Sequence, residues 1–198
     1  MIDQTNKNQR TIIIVALMTM VPFTIAWLLT ESASFRPAST NKGNLIVPII
    51  TTEKESFTGV DAFSAENMAE LPGHWVMLNY IEGNECDKAC SDAIHATKQI
   101  RLMLNKDLTR VRRAVVVVSG NQTLAVTEWW KEDLRLLKIK PSASLLEKIK
   151  IYKPDGLVNG AIMIMDPLGN LMMHYDANFD PYAVKGDLKK LLRISQIG

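Results

Sequence analysis

An α/β fold, with a central mixed β-sheet flanked by helices, is predicted by three features of the sequence. First, Trp75 to Ile81 is an apolar run interrupted only by Asn79, as expected for a central strand covered on both faces. Second, small and apolar side chains follow at helical spacing as far as Met103. Third, Ala114 to Val118 is a β-branched run, which predicts a second buried strand. Strand, helix and strand at this spacing form a βαβ unit with parallel strands.

The chain begins differently, with a run of uncharged and mostly apolar residues from Thr11 to Thr30. This length crosses a hydrocarbon core of about 30 Å, and a proline inside such a span is tolerated. The sequence therefore predicts a cytoplasmic N-terminus over residues 1–10 and a transmembrane anchor over residues 11–30. The alternative is a cleaved signal peptide that ends near Ser32-Ala33-Ser34, although the apolar region of such peptides is usually about 7–15 residues long.

Residues 31–56 lack sustained periodicity and contain Gly43 and Pro48, so we interpret them as an extended tether. Within this tether, Leu45 to Ile50 is expected to lie along the surface of the domain. The remaining residues, 57–198, have the length of one folded domain. Basic and acidic residues nearly balance, with a formal net charge of +2, so nothing in the composition indicates a nucleic-acid partner.

The second half of the domain carries clear start and stop signals. Ser144-Leu-Leu-Glu147 has the pattern of a capping box and predicts a helix. Residues 161–165 and 170–175 flank Asp166-Pro-Leu-Gly169, which is typical of a type I turn, so we expect an antiparallel hairpin. Asp180-Pro181 then places a capping residue before a proline and predicts the start of the closing helix.

Two more elements are expected between the second strand and the hairpin. They are a helix over Thr123 to Asp133 and a short strand over Leu134 to Ile139, which Pro141 ends. The complete order is therefore a parallel βαβ unit, followed by helix, hairpin and helix. This is the order of the thioredoxin-like fold, which is the fold class that we predict for residues 57–198.

The only two cysteines, Cys86 and Cys90, lie where the central strand passes into the helix, and a helix N-terminus favours thiolate. Residues four apart inside a helix have Cβ atoms roughly 5–6 Å apart, whereas a disulfide needs about 3.8 Å. A disulfide therefore requires Cys86 to lie at the start of the helix rather than inside it. Two thiolates around a soft ion such as Cu(I) or Zn(II) place fewer demands on the backbone.

The surroundings of the cysteines bear on their chemistry. Glu82, Glu85 and Asp87 outnumber Lys88, which favours a bound cation over an activated redox thiol. If a third ligand completes a metal site, we expect it to be His174, because the second hairpin strand should finish at the same end of the sheet as the cysteines. The alternatives are an exposed or edge-strand histidine and, for the cysteines, an incidental pair or a static disulfide.

The stretch from Gly73 to Cys90 resembles the Sco/SenC family, which are membrane-tethered thioredoxin-fold copper proteins that help assemble the CuA centre of cytochrome c oxidase. The shared features are a Gly-x-Trp-Val strand, a C-x-x-x-C motif after it, and the hairpin Ile162 to Asn170. Asn41 to Pro48 and Arg101 to Leu104 are similar to a divergent Sco-like branch of proteobacteria. The sequence departs from the family in two places. Leu157-Val-Asn-Gly160 replaces a segment that bears a copper-ligand histidine, and Asp87 replaces a proline.

The resemblance implies a single-pass protein of the bacterial inner membrane with its C-terminal domain in the periplasm. It implies an assembly factor, closer to a metallochaperone than to an enzyme, whose partner is the oxidase subunit with the CuA site. Cys86 and Cys90 would then hold Cu(I) or control the redox state of that subunit's thiols. Two alternatives stay open: a general thiol–disulfide oxidoreductase, and a non-catalytic binding module with a structural disulfide.

Overall fold

The computed structural model describes residues 2–31, 40–83, 86–118, 133–195 and 197. The chain divides into two compact units, Met1–Thr40 and Asn41–Gly198. The described part of the first unit is one helix, α1 (Ile2–Glu31). Its segment Asn8–Leu29, with a mean hydropathy of 2.5, is long and apolar enough to cross a membrane. A signal sequence has the same properties, so the choice of an uncleaved anchor stays a prediction.

The described residues of the second unit form a seven-stranded mixed sheet with helices on both faces. In chain order its elements are β1 (Asn44–Thr51), β2 (Phe57–Gly59), α2 (Ala62–Glu66), β3 (Trp75–Ile81), α3 (Lys88–Leu102), β4 (Val111–Val117), β5 (Leu137–Pro141), α4 (Ala143–Tyr152), β6 (Ile162–Met165), β7 (Asn170–Tyr175) and α5 (Pro181–Ile194). The predicted thioredoxin-like α/β architecture is confirmed.

β3 is the middle strand of the sheet, whose order is β1-β7-β6-β3-β4-β5-β2. All seven of its residues are buried, as its apolar sequence predicts. It runs parallel to β4, with Trp75 opposite Val111, and antiparallel to β6, with Asn79 opposite Ile162. The predicted βαβ unit is therefore confirmed, and α3 begins at the carboxyl end of β3. The predicted hairpin is also confirmed, because β6 pairs antiparallel with β7.

Two apolar layers hold the helices on the sheet. On one face, α4 packs Leu145 and Ile149 against alternate residues of the sheet, among them Leu78. On the other face, α3 and α5 pack side chains such as Ile100 and Leu188 against the intervening residues of the same strands. Because successive side chains of a strand point to opposite faces, the register of each strand decides which layer a residue joins.

The capping predictions are confirmed at α5 and corrected at α4. The side chain of Asp180 accepts a hydrogen bond from the backbone N–H of Tyr182, with Pro181 as the first helical residue. At α4 the capping residue is Ser142, not Ser144, and its hydroxyl accepts from the N–H of Leu145. Ser142 has the extended backbone that a capping residue requires, so the helix begins two residues earlier than the capping box indicated.

The expected tether contains a strand of the sheet. β1 pairs antiparallel with β7, with Asn44 opposite His174, and it forms one edge of the sheet. Its residues Ile46 and Ile50 are buried in the α4-side layer. Pro48 lies between them and has no N–H to donate, which an edge strand tolerates. The segment resembled a loop because the sequence pattern of such an edge strand is weak.

One buried carboxylate fixes the start of this segment. Asp187 of α5 is 3% exposed, and its Oδ2 accepts hydrogen bonds from the backbone N–H of Lys42 at 2.5 Å, the N–H of Gly43 at 3.0 Å and the hydroxyl of Tyr175 at 2.9 Å. The chain therefore joins the domain at Lys42 and Gly43, beside the carboxyl end of β7. The helix predicted over Thr123 to Asp133 lies outside the described residues, except for Asp133.

Candidate functional site

The two cysteines form a disulfide at the start of α3. Cys86 precedes the helix by two residues, Cys90 lies in its first turn, and their Cα atoms are 5.2 Å apart. The requirement that Cys86 lie outside the regular helix is therefore met. Because α3 follows the central strand, both sulfurs are held at the carboxyl end of the sheet.

The two cysteines differ in their access to solvent. Cys90 is 1% exposed and packs in a small apolar cluster with Ile81, Ile94 and Val115. Cys86 is only partly buried and contacts the edge of the same cluster. A thiol of another molecule therefore reaches the disulfide at Cys86, whereas Cys90 is reached from Cys86 alone.

Asp87, the first of the three residues between the cysteines, stands where the Sco/SenC pattern has a proline and has a defined role. Its carboxylate caps α3 by accepting a hydrogen bond of 2.9 Å from the backbone N–H of Cys90. The next residue, Lys88, pairs with Asp92 one turn further along the exposed face of α3, at 2.5 Å. The lysine charge is thus directed to Asp92. The capping role of Asp87 was missed from the sequence, although an aspartate three residues before the first buried helical position is a usual start signal.

The loop before β6 packs its backbone against Ala89, the residue that precedes Cys90. Gly160 has φ +86°, and a Cβ at this position would lie 2.7 Å from the carbonyl oxygen of Ala89. Next to it, Oδ1 of Asn159 accepts a hydrogen bond of 2.8 Å from the N–H of Glu82. The segment Leu157 to Gly160, which stands where the Sco/SenC pattern has a histidine, therefore contacts the cysteine motif through Gly160 and the end of β3 through the amide of Asn159.

His174 lies at the predicted end of the sheet but on the opposite face from the cysteines. It is opposite Met163, which is opposite Leu78, and both of these belong to the α4-side layer. Its Nδ1 shares a hydrogen bond of 2.7 Å with the hydroxyl of Tyr152 on α4. Burial, the largest cause, lowers the pKa of His174, and the charge of Lys153 adds to this effect while Asp176 opposes it.

The structure therefore does not bring His174 to the cysteine pair. Among the described residues, no group of three or more histidine, cysteine or acidic side chains is placed to hold a metal ion. His74 lies before β3, where its Nδ1 is 3.3 Å from the carbonyl oxygen of Pro72, and His95 is exposed on α3. Metal binding by Cys86 and Cys90 stays a prediction.

Fold and site together define a thioredoxin-fold protein with one cysteine pair at the start of its central helix. Residues 75–195 match the family described as transmembrane-like, thioredoxin-like, C-terminal domain. This match covers more than half of the chain, and the chain therefore belongs to that family. No curated protein matches it.

Three solved Sco structures are similar to this chain to different degrees. Apo Sco1 of Thermus thermophilus has a TM-score of 0.52 at 14% identity, over 78% of this chain and 99% of that chain. Copper-bound ScoI of Arabidopsis thaliana has a TM-score of 0.49 at 15% identity, over 64% and 88%. Yeast Sco1 has a TM-score of 0.48 at 12% identity, over 64% and 84%. The first of these confirms, at the level of the fold, the resemblance to Sco proteins.

Proposed function

We propose that this chain is a membrane-anchored, Sco-like assembly factor that keeps the copper-binding thiols of a cytochrome c oxidase subunit reduced through Cys86 and Cys90. The observation that carries the proposal is the asymmetry of the pair at the start of a helix, in which Cys86 is partly exposed and Cys90 is buried. The Sco-like sequence from Gly73 to Cys90 supports the choice of client, and the fold shared with Sco1 of Thermus thermophilus is consistent with it.

The asymmetry gives the two sulfurs separate steps in thiol–disulfide exchange. In the reduced chain, the Cys86 thiolate attacks a disulfide of the client and forms a mixed disulfide, which releases one client thiolate. Cys90 then attacks the Sγ of Cys86, and the second client thiolate leaves. The client gains two electrons, and the chain is left with the Cys86–Cys90 disulfide. Burial of Cys90 protects it from direct attack by the client.

The charges around the pair favour selective exchange over broad reductase activity. Asp87 directly follows Cys86 in the chain, and its carboxylate accepts a hydrogen bond from the backbone N–H of Cys90. A negative charge this close in the chain disfavours the thiolate that attacks. A client with cationic side chains near its cysteines would offset this charge, whereas an arbitrary disulfide would not. The negative charge of Asp87 therefore argues against the alternative function of a general thiol–disulfide oxidoreductase.

The cysteine pair and the acidic residues near it in the chain favour Cu(I) transfer as a second candidate function. Two thiolates four residues apart are soft ligands that suit Cu(I), and the neighbouring carboxylates favour a cation. Because His174 lies on the other face of the sheet, the donor set that the described residues offer is the two sulfurs. Cu(I) would be cargo in this case, bound by Cys86 and Cys90 and passed on to thiolates of the client.

Trapping of the mixed disulfide tests the exchange proposal. The full-length chain in detergent is reduced and mixed with an oxidised peptide that carries the two copper-site cysteines of the oxidase subunit. Cys90→Ser should accumulate a mixed disulfide at Cys86, since the resolving thiol is missing, whereas Cys86→Ser should accumulate almost none. Equal trapping by the two variants, or none by either, would contradict the proposal.

An anaerobic Cu(I) titration of the reduced chain against a chromophoric chelator tests the second candidate. Loss of either cysteine should abolish binding. His174→Ala should leave the affinity unchanged if two sulfurs form the site, and a tenfold loss, about 1.4 kcal/mol, would instead assign His174 as a ligand. Failure of the fully reduced wild-type chain to bind Cu(I) would eliminate this candidate and leave the exchange proposal standing.

A further inference from the structure

A basic cleft lies apart from the disulfide, beside the last turn of α3 and the first residues of β4. Its volume is about 690 Å³, which is within the range of small-molecule sites. The charged side chains that line it include five cations, Lys98, Arg101, Arg112, Arg113 and Arg135, and two carboxylates, Glu70 and Asp133. The disulfide is at the other end of α3, so the cleft is not part of the site described above.

The two carboxylates of the cleft are already paired. Glu70 binds Arg112 at 2.8 Å, and Asp133 binds Arg113 at 2.6 Å. Arg113 is also anchored by the carbonyl oxygen of Ile94, at 2.7 Å, which accounts for its near-complete burial. These two arginines are therefore structural, and their charges are balanced within the protein.

The other three cations have no such balance. Lys98, Arg101 and Arg135 form no ion pair with the described part of the chain. Arg101 is half-buried and donates its Nε–H to the carbonyl oxygen of Val111 at 2.7 Å, which fixes the guanidinium in the cleft. Burial lowers the pKa of Arg101, and repulsion from Arg112, Arg113 and Arg135 lowers it further. Such a group of cations is destabilised until an anion joins it.

We propose that this cleft binds a phosphate-bearing anion through Lys98, Arg101 and Arg135. A guanidinium presents paired N–H donors that match two oxygens of a phosphate, and an ammonium adds a point charge. A phosphate group carries more negative charge and more acceptor oxygens than a single carboxylate, as three unbalanced cations require. A soluble phosphorylated molecule and the headgroup of an anionic lipid both offer this chemistry.

Pyrophosphate binding to the full-length chain tests the proposal. The chain is placed in nanodiscs of phosphatidylcholine at physiological ionic strength, and inorganic pyrophosphate is titrated calorimetrically. Lys98→Gln with Arg135→Gln should weaken binding by about tenfold or more, since two of the three cations are lost. Neither residue is buried, so the fold should be retained, and an unchanged circular dichroism spectrum checks this.

A matched control separates this cleft from general attraction to positive charge. Lys189→Gln with Arg193→Gln removes two cations from a second basic surface, beside Arg110 and at the end of α5. This control should bind pyrophosphate as the wild type does. Equal weakening of both double variants, no binding of millimolar pyrophosphate by the wild type, or equally tight binding of a dicarboxylate such as glutarate would overturn the proposal.

The source of the phosphate is decided by repeating the titration in nanodiscs that contain phosphatidylglycerol. If the lipid headgroup occupies the cleft, the apparent affinity for pyrophosphate should fall in the wild type and not in the Lys98→Gln, Arg135→Gln variant. If the ligand is a soluble molecule, the lipid composition should leave the affinity unchanged. Both results support a phosphate site.

Discussion

Replacement of Gly160 by alanine tests the contact between the β6 loop and the cysteine motif. The new Cβ would lie 2.7 Å from the oxygen and 2.9 Å from the carbon of the Ala89 carbonyl group, so backbone on one side has to move. A left-handed backbone costs a non-glycine residue roughly 1–2 kcal/mol. Overpacking costs a further 1–3 kcal/mol or so. We therefore expect a loss of about 2–5 kcal/mol in the free energy of unfolding.

Gly156→Ala is the matched control, because Gly156 also has a positive φ, +77°, but no atom lies within 4 Å of its Cβ position. It should lose only the backbone part, about 1–2 kcal/mol. For a unit of this size, 1 kcal/mol corresponds to a change in Tm of about 2–4 °C. Thermal unfolding of the full-length chain in detergent measures both variants, and alkylation of reduced Cys86 should change only in Gly160→Ala. Equal losses of Tm in the two variants would refute the predicted contact.

Five further substitutions, at four residues, test the charged groups of the domain and the helix cap. Burial alone would raise the pKa of Asp187, but hydrogen bonds from Gly43, Lys42 and Tyr175 outweigh it and lower the pKa. The stability that this carboxylate contributes is therefore present above its unfolded pKa, roughly 3.9, and is lost as the pH falls through the folded value. Acid unfolding of Asp187→Asn should accordingly depend less on pH than that of the wild type, and identical profiles would count against a stabilising role of the Asp187 hydrogen bonds. Arg113→Met should cost about 3–5 kcal/mol in denaturant unfolding, since Asp133 loses its buried partner. Arg112→Met, whose partner Glu70 is half exposed, should cost less than about 1 kcal/mol, so equal costs would contradict this difference. Asp87→Ala should lose about 1 kcal/mol of stability and Asp87→Asn almost none, because asparagine also caps helices. Both should speed alkylation of reduced Cys86, since a negative charge beside the thiolate is removed, and an unchanged rate would argue against that electrostatic role.

The sequence predicts the elements of this fold wherever a local pattern determines them. The apolar run of β3 agrees with the observed strand, because a strand buried on both sides of the sheet requires apolar residues on both of its faces. The turn signal Asp166 to Gly169 agrees with the observed hairpin, because a tight turn requires particular residue types. β1 was missed for the opposite reason. It is an edge strand that contains a proline and buries only Ile46 and Ile50, so its pattern is that of a loop.

The candidate site could be predicted in part. The cysteine pair follows from the junction between β3 and α3, and the end of the sheet at which His174 lies follows from the order of the strands. The face of the sheet does not follow, because a shift of one residue in register moves a side chain to the other face. β6 and β7 contain such an irregularity, between Ile164 and Met165.

Contacts between distant residues account for the rest. The hydrogen bonds from Lys42 and Gly43 to Asp187 join residues that are more than 140 positions apart in the chain, so no local sequence pattern predicts them. The basic cleft likewise combines Arg101 of α3 with Arg112 of β4 and Arg135 before β5. In the sequence these are separate, ordinary basic residues. They become a group only when α3 packs on the sheet.

The central claim, that Cys86 and Cys90 cycle between dithiol and disulfide, is tested most directly by equilibrating the folded chain with glutathione redox buffers. The bond closes a loop with a sequence separation of only 4, which contributes about 2 kcal/mol in the chain-entropy model. The fold should therefore survive its loss. We predict full reduction through the accessible Cys86, with circular dichroism unchanged and complete reversal on reoxidation. A disulfide that resists reduction down to about −300 mV, the range of structural bonds, or that yields only with unfolding of the domain, would contradict the claim.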